Sequence, residues 1–175
     1  MLTIQRAKQS DVPAITNMMQ EASSLLPDPT WYVADDEEFV RCHIKETGFV
    51  LNAFWNGAIA GFLIIRFPKK NEDNLGYSLF EEWSSQNLDP KAELLKTAHM
   101  ESVVVRPPFR SHHIQRDLIT EAVSILKKQN YRHLMATVHP ENMASLISFQ
   151  KNGFQIKATV KKYGGLSRHI LYRSI

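Results

Sequence analysis

The sequence predicts an α/β fold with a mixed central sheet of about seven strands and flanking helices. Three observations predict it. Apolar strand-like runs alternate with helix-period segments in the order β-α-α-β-β-β-α-β-α-β-β. Asn56-Gly57 separates two apolar runs, a strong hairpin signal, because both central residues of a type I′ turn need φ > 0. Val103-Val104-Val105 leads through Pro107-Pro108 into a segment with Ile114, Leu118, Ala122 and Leu126 at helical spacing, so a strand delivers the chain to a helix start.

Taken in order, Leu2–Arg6 reads as a short strand. Ser10 can cap a helix through Ile15, Met18, Met19 and Ala22, with Pro13 tolerated in its first turn. Pro27 and Pro29 break the chain, and Asp35–Glu46 reads as a helix with three acidic residues in its first turn complementing the dipole. Gly48–Trp55 and Ala58–Phe67 are the hairpin strands. Residues 68–97 are irregular: a polar loop over 68–74, a short helix carrying Tyr77, Leu79, Phe80 and Trp83, and another turn or two over Pro90–Lys96. A long insertion of this kind is often functional, commonly a lid. His99–Val105 is a strand, Arg110–Asn130 a helix, Leu134–Val138 a strand, and Asn142–Asn152 a helix closed by Gly153. Phe154–Lys162 and Leu166–Ser174 close the chain as an antiparallel pair around Gly164-Gly165.

At 175 residues the chain suits one domain over 1–175, and its 43% hydrophobic content argues against dominant disorder. No apolar run approaches the roughly 20 residues of a membrane helix, and MLTIQRAKQSD lacks the apolar region of a signal peptide. A cytoplasmic protein with no membrane partner is expected. The lone Cys42 cannot form an internal disulfide and sits in no nucleophile motif. No metal is assigned.

Residues 1–98 carry nine Lys and Arg against 14 Asp and Glu, a net −5, whereas residues 99–175 carry 12 against four, a net +8. A basic half can attract a phosphate-bearing ligand and an acidic half a cation; two solvated faces are the plainer reading. A nucleic-acid partner is not expected, because the basic half lacks a Lys/Arg stripe with interleaved aromatics.

The junction Val103-Val104-Val105-Arg106-Pro107-Pro108-Phe109-Arg110-Ser111-His112-His113-Ile114-Gln115-Arg116 is the strongest local signal. A helix N-terminus presents unpaired N–H groups and a positive dipole end, and a pyrophosphate is its natural guest. The second motif runs from His139-Pro140-Glu141-Asn142-Met143-Ala144-Ser145 into Phe149-Gln150-Lys151-Asn152-Gly153-Phe154. Together they resemble the GNAT superfamily of N-acetyltransferases, in a small bacterial branch. That family's patterns look like V-x-P-x-[YF]-[RQ]-x-x-G-x-[GA] and N-x-x-[AS]-x-x-[LF]-[YF]-x-K-x-G-[FY]. Val105, Pro107, Phe109 and Arg110 match the first; Asn142, Ser145, Phe149, Lys151, Gly153 and Phe154 match the second.

The resemblance implies a sheet splayed between its fourth and fifth strands, with acetyl-CoA as the acyl donor. Backbone groups of Val103 and Val105, beside Val104, would pair with the pantetheine arm like an added strand. Backbone N–H groups from Ser111, His112, His113, Ile114 and Gln115 would cradle the pyrophosphate, with Arg110 and Arg116 adding charge. Asn142 would contact the pantetheine, Ser145 and Phe149 line the same motif, and Lys151 could approach the phosphates. A plain helix cap is the other reading of Asn142.

Two positions depart from the pattern. His113 replaces the loop glycine and Gln115 the next small residue, adding bulk where glycine would permit unusual φ/ψ. Phe149 stands where many relatives have the Tyr that protonates the departing thiolate. A thiol of pKa near about 8.5 leaves tolerably without that proton, and Tyr163 is a substitute acid that spacing cannot place. For the base, Glu101 sits early on the fourth strand, where some relatives carry a carboxylate; a strand-edge salt bridge is its other reading, and His99 is a weaker candidate.

The favoured activity is direct acetyl transfer in a ternary complex to a primary amine, in a cationic small-molecule or peptide-like acceptor. Asp35–Glu38, Glu72–Asp73 and Glu81–Glu82 are the candidate attractors, and Tyr32, Tyr77 and Trp83 candidate contacts to an alkylammonium stem. A noncatalytic acyl-CoA-binding regulatory domain, motivated by His113 and Phe149, is the alternative. A homodimer is allowed; the sequence does not decide it.

Overall fold

A computed structural model of the chain describes residues 1–69 and 73–175. Seven strands form one mixed sheet: β1 (Leu2–Arg6), β2 (Gly48–Trp55), β3 (Ala58–Arg66), β4 (Thr97–Val105), β5 (His133–Val138), β6 (Gln155–Lys162) and β7 (Leu166–Ser174). Their order in the sheet is β1-β2-β3-β4-β5-β7-β6. The helices are α1 (Val12–Ser24), α2 (Glu37–Lys45), α3 (Phe80–Ser85), α4 (Pro90–Leu94), α5 (Ile114–Lys128) and α6 (Met143–Lys151). The order of strands and principal helices is the one the sequence predicts, with α3 and α4 inside the long insertion. Contacts divide the chain into two units, one of residues 1–66 with 100–124 and one of residues 67–99 with 125–175.

In the first unit β2 pairs antiparallel with β1 and with β3. Asn56 and Gly57 hold φ of 50° and 85° at the hairpin tip, the left-handed pair that the turn chemistry calls for. A Cβ on Gly61 would lie 2.5 Å from the carbonyl oxygen of Val104, so only glycine lets these backbones approach. Val12, Ile15, Met18 and Met19 of α1 and Val40 of α2 pack with Val50, Phe62, Ile64 and Val104 of the strands. Each large side chain buried here stabilises by roughly 1.5–3 kcal/mol.

Two helix starts differ from the sequence reading. Ser10 is not a cap: Gln9–Asp11 form a 3-10 turn, and Asp11 spends its carboxylate on Lys8 N at 2.8 Å and Asn52 Nδ2 at 3.1 Å. Pro13 does fall in the first turn of α1. α2 begins at Glu37, because Asp36 caps it by accepting from Phe39 N at 2.9 Å, which leaves Asp35 outside the helix.

In the second unit β7 pairs with β5 and β6. Tyr163, Gly164 and Gly165 turn β6 into β7 with positive φ. The insertion contains a 3-10 turn, Leu75–Leu79, ahead of α3 and α4. Leu75, Leu79 and Trp83 pack on Met135 and Ile170. Glu93 of α4 accepts from His133 Nε2 at 2.7 Å and from Lys96 Nζ at 2.9 Å. Lys70, Asn71 and Glu72, part of the predicted polar loop and including one predicted attractor, lie outside the described residues. Among the described residues no helix is long and apolar enough to cross a membrane.

Candidate active site

β4 ends at Val105, and Pro107–Phe109 form a single 3-10 turn before α5 begins at Ile114. The exit is anchored on β3 by Arg106 N, which donates to Ala60 O at 2.9 Å. Phe109 N donates to Arg106 O at 2.9 Å and Arg110 N to Pro107 O at 3.2 Å, closing the turn. Ser111 and His113 then adopt φ of 69° and 59°. Left-handed backbone costs a non-glycine residue about 1–2 kcal/mol. These two residues interrupt the helix predicted from Arg110, so α5 starts four residues later, and its other end falls at Lys128 rather than Asn130.

Residues 110–113 are exposed, while Ile114 is buried and pins the start of α5 to the core. The first bond of the helix runs from Asp117 N to His113 O at 3.1 Å, so the N–H groups ahead of Asp117 precede the ladder at the positive end of the dipole. Arg110 Nε turns back onto Val105 O at 3.3 Å, and His112 Nδ1 lies 3.0 Å from Arg110 O. Arg116 pairs with Asp117 at 3.1 Å, which offsets part of its charge. A turn with left-handed residues ahead of a helix start is a type of backbone that can bind an anion. Next to it, Met18, Glu21 and Ala22 of α1 line a shallow hollow with Val104, Val105, Arg106, Pro107 and Arg110.

Earlier on β4, Glu101 accepts from Arg66 Nε at 2.5 Å, each side chain being 20% exposed. Ser102 points to the other face of the strand, where its Oγ lies 2.6 Å from Tyr32 Oη. Tyr32 is packed against the apolar core, and burial drives its phenol well above the usual range. Asp35 is half-buried; burial first, then the charges of Glu101 and Asp36, raise its carboxyl to about 6. A carboxyl so placed exchanges a proton near neutral pH, which suits general-base chemistry. Val103 is half-buried between Glu101 and Val105 on the same strand.

The second unit places the remaining predicted residues. Asn142 caps α6, its side chain accepting from Ser145 N at 3.2 Å, as the alternative reading of this residue had it. Phe149 is 5% exposed and stands edge-on to Phe154 with centroids 5.1 Å apart. Lys151 is exposed at the end of α6. Tyr163 is exposed in the β6–β7 turn, its hydroxyl 3.3 Å from Thr137 Oγ1. Tyr77 is exposed and stacked on Phe80.

Trp83 corrects an expectation. At 2% exposure it lies in the core with its ring 4.6 Å from that of His133, so its surface is used in packing rather than offered to an acceptor. His99 is likewise a core group: it is 2% exposed and its Nε2 accepts from Leu75 N at 3.1 Å. Of the predicted attractors, Glu82 is paired with Lys157 at 2.9 Å, Asp73 with Lys162, and Glu37 with Arg41 at 2.7 Å. Sequence reasoning had no part for Arg66, Ser102 or the proton chemistry of Asp35. No local motif marks Asp35, because its neighbour Glu101 is far away in sequence.

The profile described as "Acetyltransferase (GNAT) family" matches residues 15–154. No curated protein sequence matches the chain. Among solved structures, the chain is similar to the ribosomal-protein-S18-alanine N-acetyltransferase of Escherichia coli, at 18% identity and a TM-score of 0.70, over 100% of this chain and 94% of that one. Ard1 of Thermoplasma volcanium aligns at 14% identity and a TM-score of 0.72, covering 99% and 97%. The PaiA N-acetyltransferase of Thermoplasma acidophilum, solved in complex with coenzyme A, aligns at 16% identity and a TM-score of 0.67, covering 100% and 99%. At these identities the likeness is one of fold.

Proposed function

The chain belongs to the GNAT acetyltransferase family, and on that footing we propose that it transfers an acetyl group from acetyl-CoA to a primary amine in a small cationic or peptide-like acceptor. The observation that carries the reading is the loop after β4. Its exposed residues 110–113 and the first N–H groups of α5 form a cradle for a pyrophosphate, in the position the family pattern assigns to one. A histidine at the glycine position leaves this intact, because the donors belong to the backbone and His113 takes up the left-handed φ itself. The relative solved with coenzyme A supports the same ligand class.

Bound acetyl-CoA supplies the acetyl group as an activated thioester. The chain's own residues do the rest. Ser111 to Gln115 hold the diphosphate through backbone N–H groups, and Val103 and Val105 offer backbone to the pantetheine arm. An acceptor ammonium must lose a proton before its nitrogen is nucleophilic, and the Glu101–Asp35 pair receives it. The same carboxylates attract the cation. Among the predicted attractors Glu37, Glu82 and Asp73 are engaged by basic side chains, so the attraction is assigned chiefly to Asp35, beside the Arg66-paired Glu101. Tyr32, fixed by Ser102, offers a rigid wall beside them.

Thiol release from acetyl-CoA in the presence of polyamines, lysine-bearing peptides, aminoglycosides and neutral or acidic amino acids tests the proposal. Amine-dependent release, greatest with a cationic acceptor and weakened by salt, is expected. Preference for anionic acceptors, or coenzyme binding without turnover of any amine, overturns it.

A further inference from the structure

Trp55 closes β2, and its ring stands T-shaped against that of His112, with centroids 4.5 Å apart and planes at 77°. The two partners are held very differently. Trp55 pairs with Leu2 on one side and Ala58 on the other, and the left-handed Asn56 and Gly57 follow it at once. His112 lies exposed between the left-handed Ser111 and His113. The bonds made by residues 110–112 are local: Arg110 reaches Val105 O, and His112 Nδ1 meets Arg110 O. The ring of Trp55 ties this turn to β2.

We infer that Trp55 is a positioning residue for coenzyme binding: by packing against His112 it keeps Ser111–His113 in the left-handed turn that aims the backbone donors at the pyrophosphate. The inference rests on the coenzyme site proposed above. A turn with two left-handed non-glycine residues has more favourable conformations to relax into once its anchor is removed. Donors on a relaxed turn must be re-ordered on binding, and that ordering weakens affinity without touching the chemical step. The Trp55–His112 ring pair lies on the proposed coenzyme loop, so the effect falls on the coenzyme rather than on the acceptor.

The test is a double-mutant cycle read by CoA titration and steady-state kinetics, with wild type, Trp55→Ala, His112→Ala and the double variant, and Trp55→Phe as the conservative change. Trp55→Ala should raise the Kd for CoA and the KM for acetyl-CoA by roughly three- to tenfold, the scale of one aromatic pair. kcat and the KM for amine should stay level. His112→Ala should weaken binding to a similar degree, adding Trp55→Ala to it should change little more, and Trp55→Phe should recover most of the affinity. Wild-type affinity in Trp55→Ala overturns the inference, as does an equal further loss in the His112→Ala background, which would mean that Trp55 acts independently of His112. If Trp55→Ala does not fold, His112→Ala with unchanged Kd overturns it equally. Wild-type protein that fails to bind CoA removes the proposed site itself and this inference with it, whereas wild-type binding that is insensitive to both rings removes the inference alone.

Discussion

Arg66 on β3 donates to Glu101 on β4 across 2.5 Å, and the same glutamate helps to raise Asp35 to about 6. The sheet thereby fixes one carboxylate in an ion pair while a second, outside α2, exchanges its proton near neutrality. If this pair receives the acceptor's proton, Asp35→Asn and Glu101→Gln should each lower kcat/KM by roughly 10²–10⁴. In wild type the rate should rise with pH through about 6 as Asp35 ionises, and Asp35→Asn should flatten that limb. Initial rates across pH 5–9 check both points (about 5–9 spans the relevant ionisations). A variant with near-normal rate throughout takes its residue out of the pair.

The same shift has a sign in stability. A folded-state value raised from 3.8 to about 6 means that folded Asp35 binds its proton more tightly than the unfolded chain does. Its favourable contribution is full below 3.8 and is lost as pH rises through about 6. Asp35→Asn should therefore stabilise the protein above that range by roughly 1 kcal/mol, discounted for solvent screening of a half-exposed group, and change little in acid. Thermal melts on either side of the window read the difference.

The buried Glu93–His133 pair runs the other way. Burial opposes the Glu93 charge, but hydrogen bonds from Lys96 and His133 outweigh it and hold the carboxyl below its usual range. Burial keeps His133 below its usual range, so neutral His133 donates Nε2–H to Glu93, and its Nδ1, 3.1 Å from Tyr172 Oη, accepts from that hydroxyl. Both shifts contribute stability above the ordinary values that fades as pH falls. Glu93→Ala should cost about 1–3 kcal/mol at neutral pH, because it leaves the buried His133 Nε2–H without its acceptor. Chemical denaturation measures it; a loss within a few tenths would show the network to be dispensable.

His113 offers a gain. At φ of 59° it holds a conformation that glycine adopts without a Cβ penalty. His113→Gly should be neutral or stabilising by up to about 1 kcal/mol and should leave CoA affinity at or above wild type, whereas a β-branched residue there should weaken both. Melting temperature and titration distinguish the two.

Much of the fold is legible where chemistry is local. Asn56-Gly57 marks the β2–β3 hairpin, and Asn142 with Gly153 brackets α6, because turn and cap conformations are dictated by the residues that adopt them. The start of α5 is misread because Ser111 and His113 take left-handed backbone that neither residue type advertises. Ser10 is misread as a cap because Asp11 is drawn to Lys8 and Asn52 instead. At the site, the β4–α5 junction is readable from its own residues as a strand delivered to a helix start. The Glu101–Arg66 pair, the shifted Asp35 and the Trp55–His112 contact each join segments distant in sequence, so only the folded chain brings them together. Trp83 shows the same limit from the other side: an aromatic residue in a polar insertion carries no local sign of whether it faces ligand or core.

The coenzyme's anchor on the loop after β4 is the claim on which the rest depends, and calorimetric titration of CoA into wild type and Ser111→Pro tests it most directly. Proline removes one backbone donor and cannot adopt the φ of 69° that Ser111 holds. Saturable binding by wild type, weakened by roughly 10- to 100-fold in a variant that still folds, is the predicted result, the scale of one or two charge-assisted hydrogen bonds. Equal affinity in the two proteins, or no binding by wild type, would contradict the account.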